Sequence, residues 1–192
     1  MSDPAPGRPA VILDRDGTLN EEVGYLHHPA DLVWTPGAAE AVRRLNDAGH
    51  LVLVVTNQAG VARGFYTEAD VHTLHVHMNA ELARYGAHVD AFYYSPYHPE
   101  GTVERYRRTS ACRKPGRALY ERAIADWGFD PARSVAVGDK ATDLIPARAL
   151  GMGTILVETG YGQHEANRSV ADLVVPTFAD AAEAILASPS DL

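Results

Sequence analysis

The chain has 192 residues, with 17 basic and 25 acidic side chains and a formal net charge of -8. That length suits one α/β domain and is short for two of ordinary size, and the acidic balance excludes a broad nucleic-acid surface, so an anionic ligand needs a local attractor such as a divalent cation. The single cysteine, Cys112, excludes an intramolecular disulfide, and no apolar run approaches the roughly 20 residues of a membrane span, so a cytoplasmic protein with no membrane partner is expected.

Residues 1–9, rich in Pro, Ala and Gly, are expected to form a disordered leader, with one domain over 10–192. Apolar runs predict strands at 10–14, 50–56, 89–95, 134–139, 153–158 and 171–176. Between them, helices are predicted at 36–49, opening on Pro36 and closing on Gly49, and at 67–86, opening on a Thr67 cap. Further helices are expected at 116–128, at 141–151 and at 178–187. Strands alternating with helices predict an α/β fold with a Rossmann-like, mostly parallel sheet flanked by helices.

The polar residues at the strand ends carry the chemistry. Asp14 ends the first run, Thr56 the second and Asp139 the fourth, at the carboxyl edge where open α/β sheets bind ligands. Any one of them can be explained as a turn opener; three together point to a site.

At these residues the sequence resembles the haloacid dehalogenase superfamily of phosphatases. The motifs are "DRDGT" at 14–18, "TNQ" at 56–58, "RKP" at 113–115 and "GDKATD" at 138–143, in the family's order. The resemblance spans about residue 9 to about 160 and carries no large cap insertion. It narrows to the branch that holds the heptose 1,7-bisphosphate 7-phosphatases and the histidinol-phosphate phosphatases, through "LDRDGTLNEEVGYLHHPADLVWTPGAAEAV", "VVTNQAGVARGFYTE" and "VGDKATDL".

The resemblance implies a phosphomonoester hydrolase acting through an aspartyl-phosphate. Asp14 is then the nucleophile, and Asp16 the acid that protonates the leaving oxygen and later activates water. Gly17 lets the chain turn sharply after the strand. Asp14, the backbone carbonyl of Asp16 and Asp139 are expected to hold Mg²⁺, with Asp143 orienting the metal shell or Lys140. Thr56 and Asn57 are expected to donate to the phosphoryl oxygens and Lys114 to balance their charge. Gln58, Arg113, Lys140 and the loop Glu22, Val23, Gly24 and Tyr25 are expected around the substrate, with the fork of Arg113 suited to a second phosphate or sugar hydroxyls. Arg15 is left outside the catalytic set.

Many members of this branch carry a zinc loop, whose four ligand positions here read Ser95, Tyr97, Ser110 and Cys112. One candidate of four does not make a tetrahedral site, so structural zinc is not expected. The 96–112 loop must then be held by packing and hydrogen bonds, for instance through Tyr93, Tyr94, Tyr97 and Tyr106, or be mobile. His72, His75 and His77 are taken as an exposed helix face, and Trp34 and Trp127 as packing residues. The expected partner is a small phosphorylated sugar, and the expected state a monomer. Histidinol phosphate or a broad range of small phosphates is the alternative substrate; a non-catalytic phosphosugar-binding module predicts loss of a catalytic carboxylate, and Asp14, Asp16 and Asp139 are all present.

Overall fold

The computed structural model describes residues 7–164 and 168–187. One six-stranded sheet organises them: β1 (Ala10–Leu13), β2 (Leu51–Asn57), β3 (Ala91–Ser95), β4 (Val135–Gly138), β5 (Gly153–Val157) and β6 (Leu173–Val175). The order is β3-β2-β1-β4-β5-β6 and every pairing is parallel. The strand order reverses at β1, which lies between β2 and β4, and this is the switch point at which open α/β sheets form a ligand crevice.

Every residue of β1, β4 and β5 is buried. The twofold alternation of side chains divides these strands between two cores, as expected for a parallel sheet covered on both faces. Val11 and Leu13 join Val52, Val54, Val137 and Ile155 on one face. That face is covered by α1 (Ala38–Asp47), α3 (Glu68–Ala83) and α6 (Phe178–Ala187). Ala10 and Ile12 join Leu53, Val55 and Ala136 on the other, under α4 (Ala118–Trp127) and α5 (Ala141–Arg148).

A short α2 (Ala59–Arg63), which the sequence reading does not anticipate, follows β2 directly. Thr67 caps α3 as expected: its hydroxyl accepts from the Asp70 N–H at 3.3 Å, and the Asp70 carboxylate accepts from the Thr67 N–H at 2.7 Å. Trp34 and Trp127 pack at the margins of the two cores.

Residues 1–6 of the expected leader lie outside the described residues, and 7–9 are tied to the fold. Gly7 O accepts from Arg133 Nη1 at 2.9 Å, Arg8 Nε donates to Gly49 O at 2.9 Å, and Pro9 O accepts from Leu51 N at 2.9 Å. No helix among the described residues is long and apolar enough to cross a membrane.

One reading of α3 is corrected. Its buried residues are Val71, Leu74, His75, Met78 and Leu82, the i, i+3, i+4, i+7, i+11 stripe of an inward face. His72 is exposed and His77 partly so, but His75 is only 5% exposed.

Candidate active site

Asp14 directly follows β1, and its N–H donates to Val137 O on β4 at 3.0 Å, so the switch-point pairing places its carboxylate beside Asp139. Among the described residues, Asp14, Asp139 and Asp143 are the group of acidic, imidazole or thiol side chains able to share a metal ion, with ligand atoms within 4.8 Å of one another. Hard carboxylate oxygens packed this closely suit an oxygen-seeking divalent cation such as Mg²⁺. Asp143 had been expected to orient other groups. It does so, accepting from Lys140 N at 3.0 Å, and it also stands in the carboxylate cluster.

The electrostatics match the donor set. Burial, then the charge of Asp143, pushes the Asp14 carboxyl up to about 6 against the pull of Lys114. Burial, then the charges of Asp14 and Asp143, pushes Asp139 up to about 8. Carboxylates so crowded lack positive charge, which a cation at their centre supplies.

Lys114 provides part of it. Its Nζ reaches Asp14 Oδ1 at 2.8 Å, Asp143 Oδ1 at 2.8 Å and Val55 O at 2.6 Å, which occupies all of the ammonium's donors. Burial opposes this charge, but Asp14 and Asp143 outweigh it and the Lys114 pKa is raised. The peptide of Lys114 is in turn clasped by Asn57: Asn57 Nδ2 donates to Lys114 O at 3.1 Å and Asn57 Oδ1 accepts from Lys114 N at 3.0 Å. The Asn57 amide, expected to donate to a phosphoryl oxygen, thus also holds the lysine loop, with one Nδ2 hydrogen committed there.

Asp16 sits in a second network. Its Oδ1 accepts from Arg15 Nε at 3.1 Å and Asn20 Nδ2 at 3.1 Å, and its Oδ2 from Arg15 Nη2 at 2.9 Å and Gln58 Nε2 at 3.0 Å. Gln58, expected at the substrate, is 1% exposed. It bridges Asp16, Thr56 Oγ1 at 2.9 Å and Tyr66 OH at 2.7 Å, so it positions the site from behind. Thr56 accepts that bond, which leaves its hydroxyl hydrogen to donate elsewhere.

Gly17 is required twice over. Its φ of +82° is in the left-handed region, and a Cβ there would meet Asp139 Oδ2 at 2.4 Å. Gly160, at φ +55°, approaches the same oxygen from the other side, where a Cβ would stand 2.2 Å away.

Asp14, Asp16, Glu22, Thr56, Asn57, Lys114 and Lys140, together with Thr142 and Asp143, line one cavity of about 70 Å³. That is well below the roughly 300–1,000 Å³ of pockets that enclose a whole ligand, so it admits a reacting group while the rest of the molecule stays outside. A second cavity of about 330 Å³ adjoins it through Glu22 and runs past Gly17, Thr35 and Thr159 to Tyr161. Lys140 stands between the two, 3.9 Å from Glu22 Oε2 and with its Nζ 4.1 Å from the centre of the Tyr161 ring.

Val23, Gly24 and Tyr25 do not line either cavity; Val23 and Tyr25 stand exposed at the rim, and the Tyr25 ring meets Phe65 edge-on at 4.8 Å. Arg113 is also outside the lining, with Nη1 3.5 Å from Tyr97 O. Burial and the charge of Arg63 lower its pKa, marking a half-buried cation beside a second one.

Arg15 is the residue the sequence reading left out. It is fully buried, and its side chain pairs with Asp16 and donates to Leu26 O at 3.0 Å, Gln58 Oε1 at 3.2 Å and His75 Nε2 at 3.3 Å. Its position between two acids hints at a pairing, but the partners at 26, 58 and 75 are brought to it by the fold.

The loop after β3 is held by an aromatic cluster. Tyr94 OH donates to Glu68 Oε2 at 2.6 Å and Tyr106 OH to Glu68 Oε1 at 2.5 Å. Val61, Ala62, Tyr66, Val71 and Tyr106 pack together with Tyr94, Tyr97 and Val103. Arg108 stacks 4.0 Å from the centre of the Tyr97 ring, and Val103 N donates to Ala62 O at 2.9 Å. Tyr93 points to the opposite core, where it donates to Asp126 at 3.0 Å and accepts from Trp127 Nε1 at 3.1 Å.

Comparison with known proteins agrees with this architecture. Residues 111–181 match the HAD-hydrolase-like family model. The chain is 42% identical over 176 residues to the D-glycero-beta-D-manno-heptose-1,7-bisphosphate 7-phosphatase of Haemophilus ducreyi, covering 91% of this chain and 96% of that protein. It is 49% identical over 159 residues to the D-glycero-D-manno-heptose-1,7-bisphosphate 7-phosphatase of Thermosynechococcus vestitus, covering 81% of each. The crystal structure of the D,D-heptose 1,7-bisphosphate phosphatase of B. bronchiseptica, complexed with magnesium and phosphate, superposes with a TM-score of 0.84 at 32% identity, covering 94% of this chain and 99% of that one. With Asp14 at the end of β1, the carboxylate cluster and the buried Lys114 all at the switch point, the chain belongs to the haloacid dehalogenase-like family of phosphatases.

Proposed function

We propose that the chain is a Mg²⁺-dependent phosphatase that removes the 7-phosphate of D-glycero-D-manno-heptose 1,7-bisphosphate through a phosphorylated Asp14. The observation that carries this reading is the buried Asp14 carboxylate, fixed by Lys114 at 2.8 Å in the lining of a cavity large enough only for the reacting group. The relatives' names supply the heptose.

Asp14, Asp139 and Asp143 would supply the carboxylates around the ion, with the Asp16 carbonyl as the further expected ligand; Mg²⁺ bound there would neutralise the phosphoryl oxygens that otherwise face these acids. An Asp14 oxygen bonds to phosphorus as the bond from phosphorus to the sugar oxygen breaks, and that oxygen takes a proton from Asp16. Asp16 then removes a proton from the water that attacks phosphorus, which releases inorganic phosphate and restores Asp14. Both Asp16 oxygens each accept two hydrogen bonds, so one of the neutral donors, Gln58 or Asn20, must yield during the proton transfer. The Thr56 hydroxyl, which accepts from Gln58 and keeps its own hydrogen, would donate to the phosphoryl group, and Lys114 would offset charge without giving up its protein acceptors.

Sugar atoms beyond the reacting phosphate would lie along Glu22 and Lys140, with Arg113 and the exposed 23–25 rim outside that lining as the residues that would meet the far end of the substrate. The test is Mg²⁺-dependent phosphate release from both anomers of the heptose bisphosphate, histidinol phosphate and several hexose phosphates, with Asp14→Asn as blank. A preference of about 100-fold in kcat/KM for one heptose anomer supports the reading, being roughly 2.7 kcal/mol of transition-state discrimination. A flat profile or a preference for another ester removes the heptose assignment and leaves the phosphatase.

A further inference from the structure

His75 is an unusual residue to find in the core face of α3. It is 5% exposed, its ring stacks on Phe92 with centroids 4.3 Å apart and planes at 15°, and its Nε2 lies 3.3 Å from Arg15 Nη1. A guanidinium has donors and no acceptor, so Nε2 accepts and the ring proton resides on Nδ1. Burial, then the nearby charges of Arg15 and His72, pushes the His75 pKa down to about 2, so the ring is the neutral acceptor that this contact requires.

Arg15 itself has no exposed surface, so its orientation is decided by its hydrogen bonds. Nε and Nη2 grip the two oxygens of Asp16 in the forked arrangement that gives an arginine–carboxylate pair its directionality. Nη2 also reaches Leu26 O and Gln58 Oε1. On Nη1, the hydrogen bond acceptor is His75. A fork with one nitrogen unsatisfied in a buried site carries the desolvation of an unpaired N–H and can recover it by rotating away from Asp16.

We propose that His75 is a positioning residue for the reaction: by accepting from Arg15 Nη1 it sets the guanidinium plane that holds Asp16 in line with the leaving oxygen. His75 touches no substrate. This inference rests on the assignment of Asp16 as the acid for the leaving group, and it adds a residue from α3, on the far side of β2, to the apparatus that orients that acid.

The experiment compares two esters and two variants. kcat/KM reports the steps up to departure of the alcohol, and a sugar oxygen needs a proton there, whereas p-nitrophenolate leaves without one. His75→Phe keeps a ring against Phe92 and removes the acceptor; His75→Gln offers an acceptor of similar reach. For His75→Phe, kcat/KM on the preferred sugar phosphate is expected to fall by about tenfold or more, and on p-nitrophenyl phosphate by less than about threefold. His75→Gln is expected to restore most of the loss.

Equal losses on both esters, no loss on either, or His75→Gln as slow as His75→Phe overturns the proposal. In the unsubstituted protein, ¹⁵N spectra are expected to show a neutral His75 ring protonated at Nδ1; an Nε2-protonated ring overturns the proposal even if the Phe variant fails to fold. A parent protein inactive on every ester overturns the phosphatase reading and this inference with it. Failure of His75 alone leaves the parent active, so the two results are distinct.

Discussion

At the β1–β4 edge, three carboxylates and an ammonium are buried together: Asp14, Asp139, Asp143 and Lys114 are each 6% exposed or less. Beyond β3, the 96–112 loop is held by tyrosine hydroxyls on Glu68, by aromatic packing and by arginines stacked on rings at the surface. Charge in the first region is compressed and unbalanced, since Asp14 and Asp139 both have raised pKa values. In the second, burial works against the Glu68 charge, but bonds from Tyr106 and Tyr94 prevail and lower its pKa. The first region is arranged to receive a cation and the second is already satisfied. The difference separates what does the chemistry from what shapes its surroundings.

The sharpest way to break this distinction is Asp14→Asn. It removes the nucleophile and one of the crowded charges, so phosphate release is expected to fall by roughly 10⁴-fold or more while the fold is kept. A folded variant with near-parent turnover would remove Asp14 from the chemistry.

Lys114→Met is expected to act on stability as well as turnover. It leaves Asp14 and Asp143 buried without their shared cation, a loss of about 3–5 kcal/mol read by urea denaturation. A cost under about 1 kcal/mol would show that the cluster does not depend on the lysine.

The pH dependence follows from the raised carboxyls. In the metal-free protein the folded state holds protons that the unfolded state has released, so stability falls as pH rises from about 4 through 6 for Asp14 and on through 8 for Asp139. A divalent cation favours the ionised forms, so the rise in Tm on adding Mg²⁺ is expected to be larger at pH 8 than at pH 5. Equal rises at both pH values would place the ion elsewhere.

Tyr106→Phe sharpens the comparison from the other side. It removes one hydrogen bond to Glu68 and is expected to cost about 1–2 kcal/mol and to raise KM, with the Mg²⁺ concentration for half-maximal activity unchanged. A change in Mg²⁺ requirement would mean that the loop and the carboxylates are coupled.

The carboxyl-edge residues were legible because each stands at the end of an apolar run: Asp14 and Thr56 line the small cavity, and Asp139 joins Asp14 in the carboxylate cluster. Strand positions were legible for the same reason, with edges shifted by a residue or two where flanking polar residues turn away. The short α2 was not, since five residues carry too little periodicity to show a helix.

His75 shows a different failure. The spacing from Val71 to Leu82 placed it on the buried stripe, but its chemistry suggested surface, and its partner Arg15 is sixty positions away in the chain. Asn57 and Gln58 were found by their motif, but only Asn57 lines the small cavity while Gln58 turns inward to Asp16, Thr56 and Tyr66: side chains of the right type at the right edge can face the protein as readily as a ligand. Arg113 was likewise legible as a cation near the site, but its contact at Tyr97 depends on where the 96–112 loop settles.

The pairing of β1 with β4 joins Leu13 to Val137, and it is this pairing that places Asp14 beside Asp139. During synthesis β1, β2 and β3 can associate while β4 is still in the ribosome, and until β4 arrives the cluster has only one of its three acids. A partly made chain therefore cannot capture the ion or attack a phosphate ester. Loop closure over so long a separation comes late and is costly, so the site appears only once β4 and the start of α5 have joined β1, and metal binding can serve as a report that this pairing has been made.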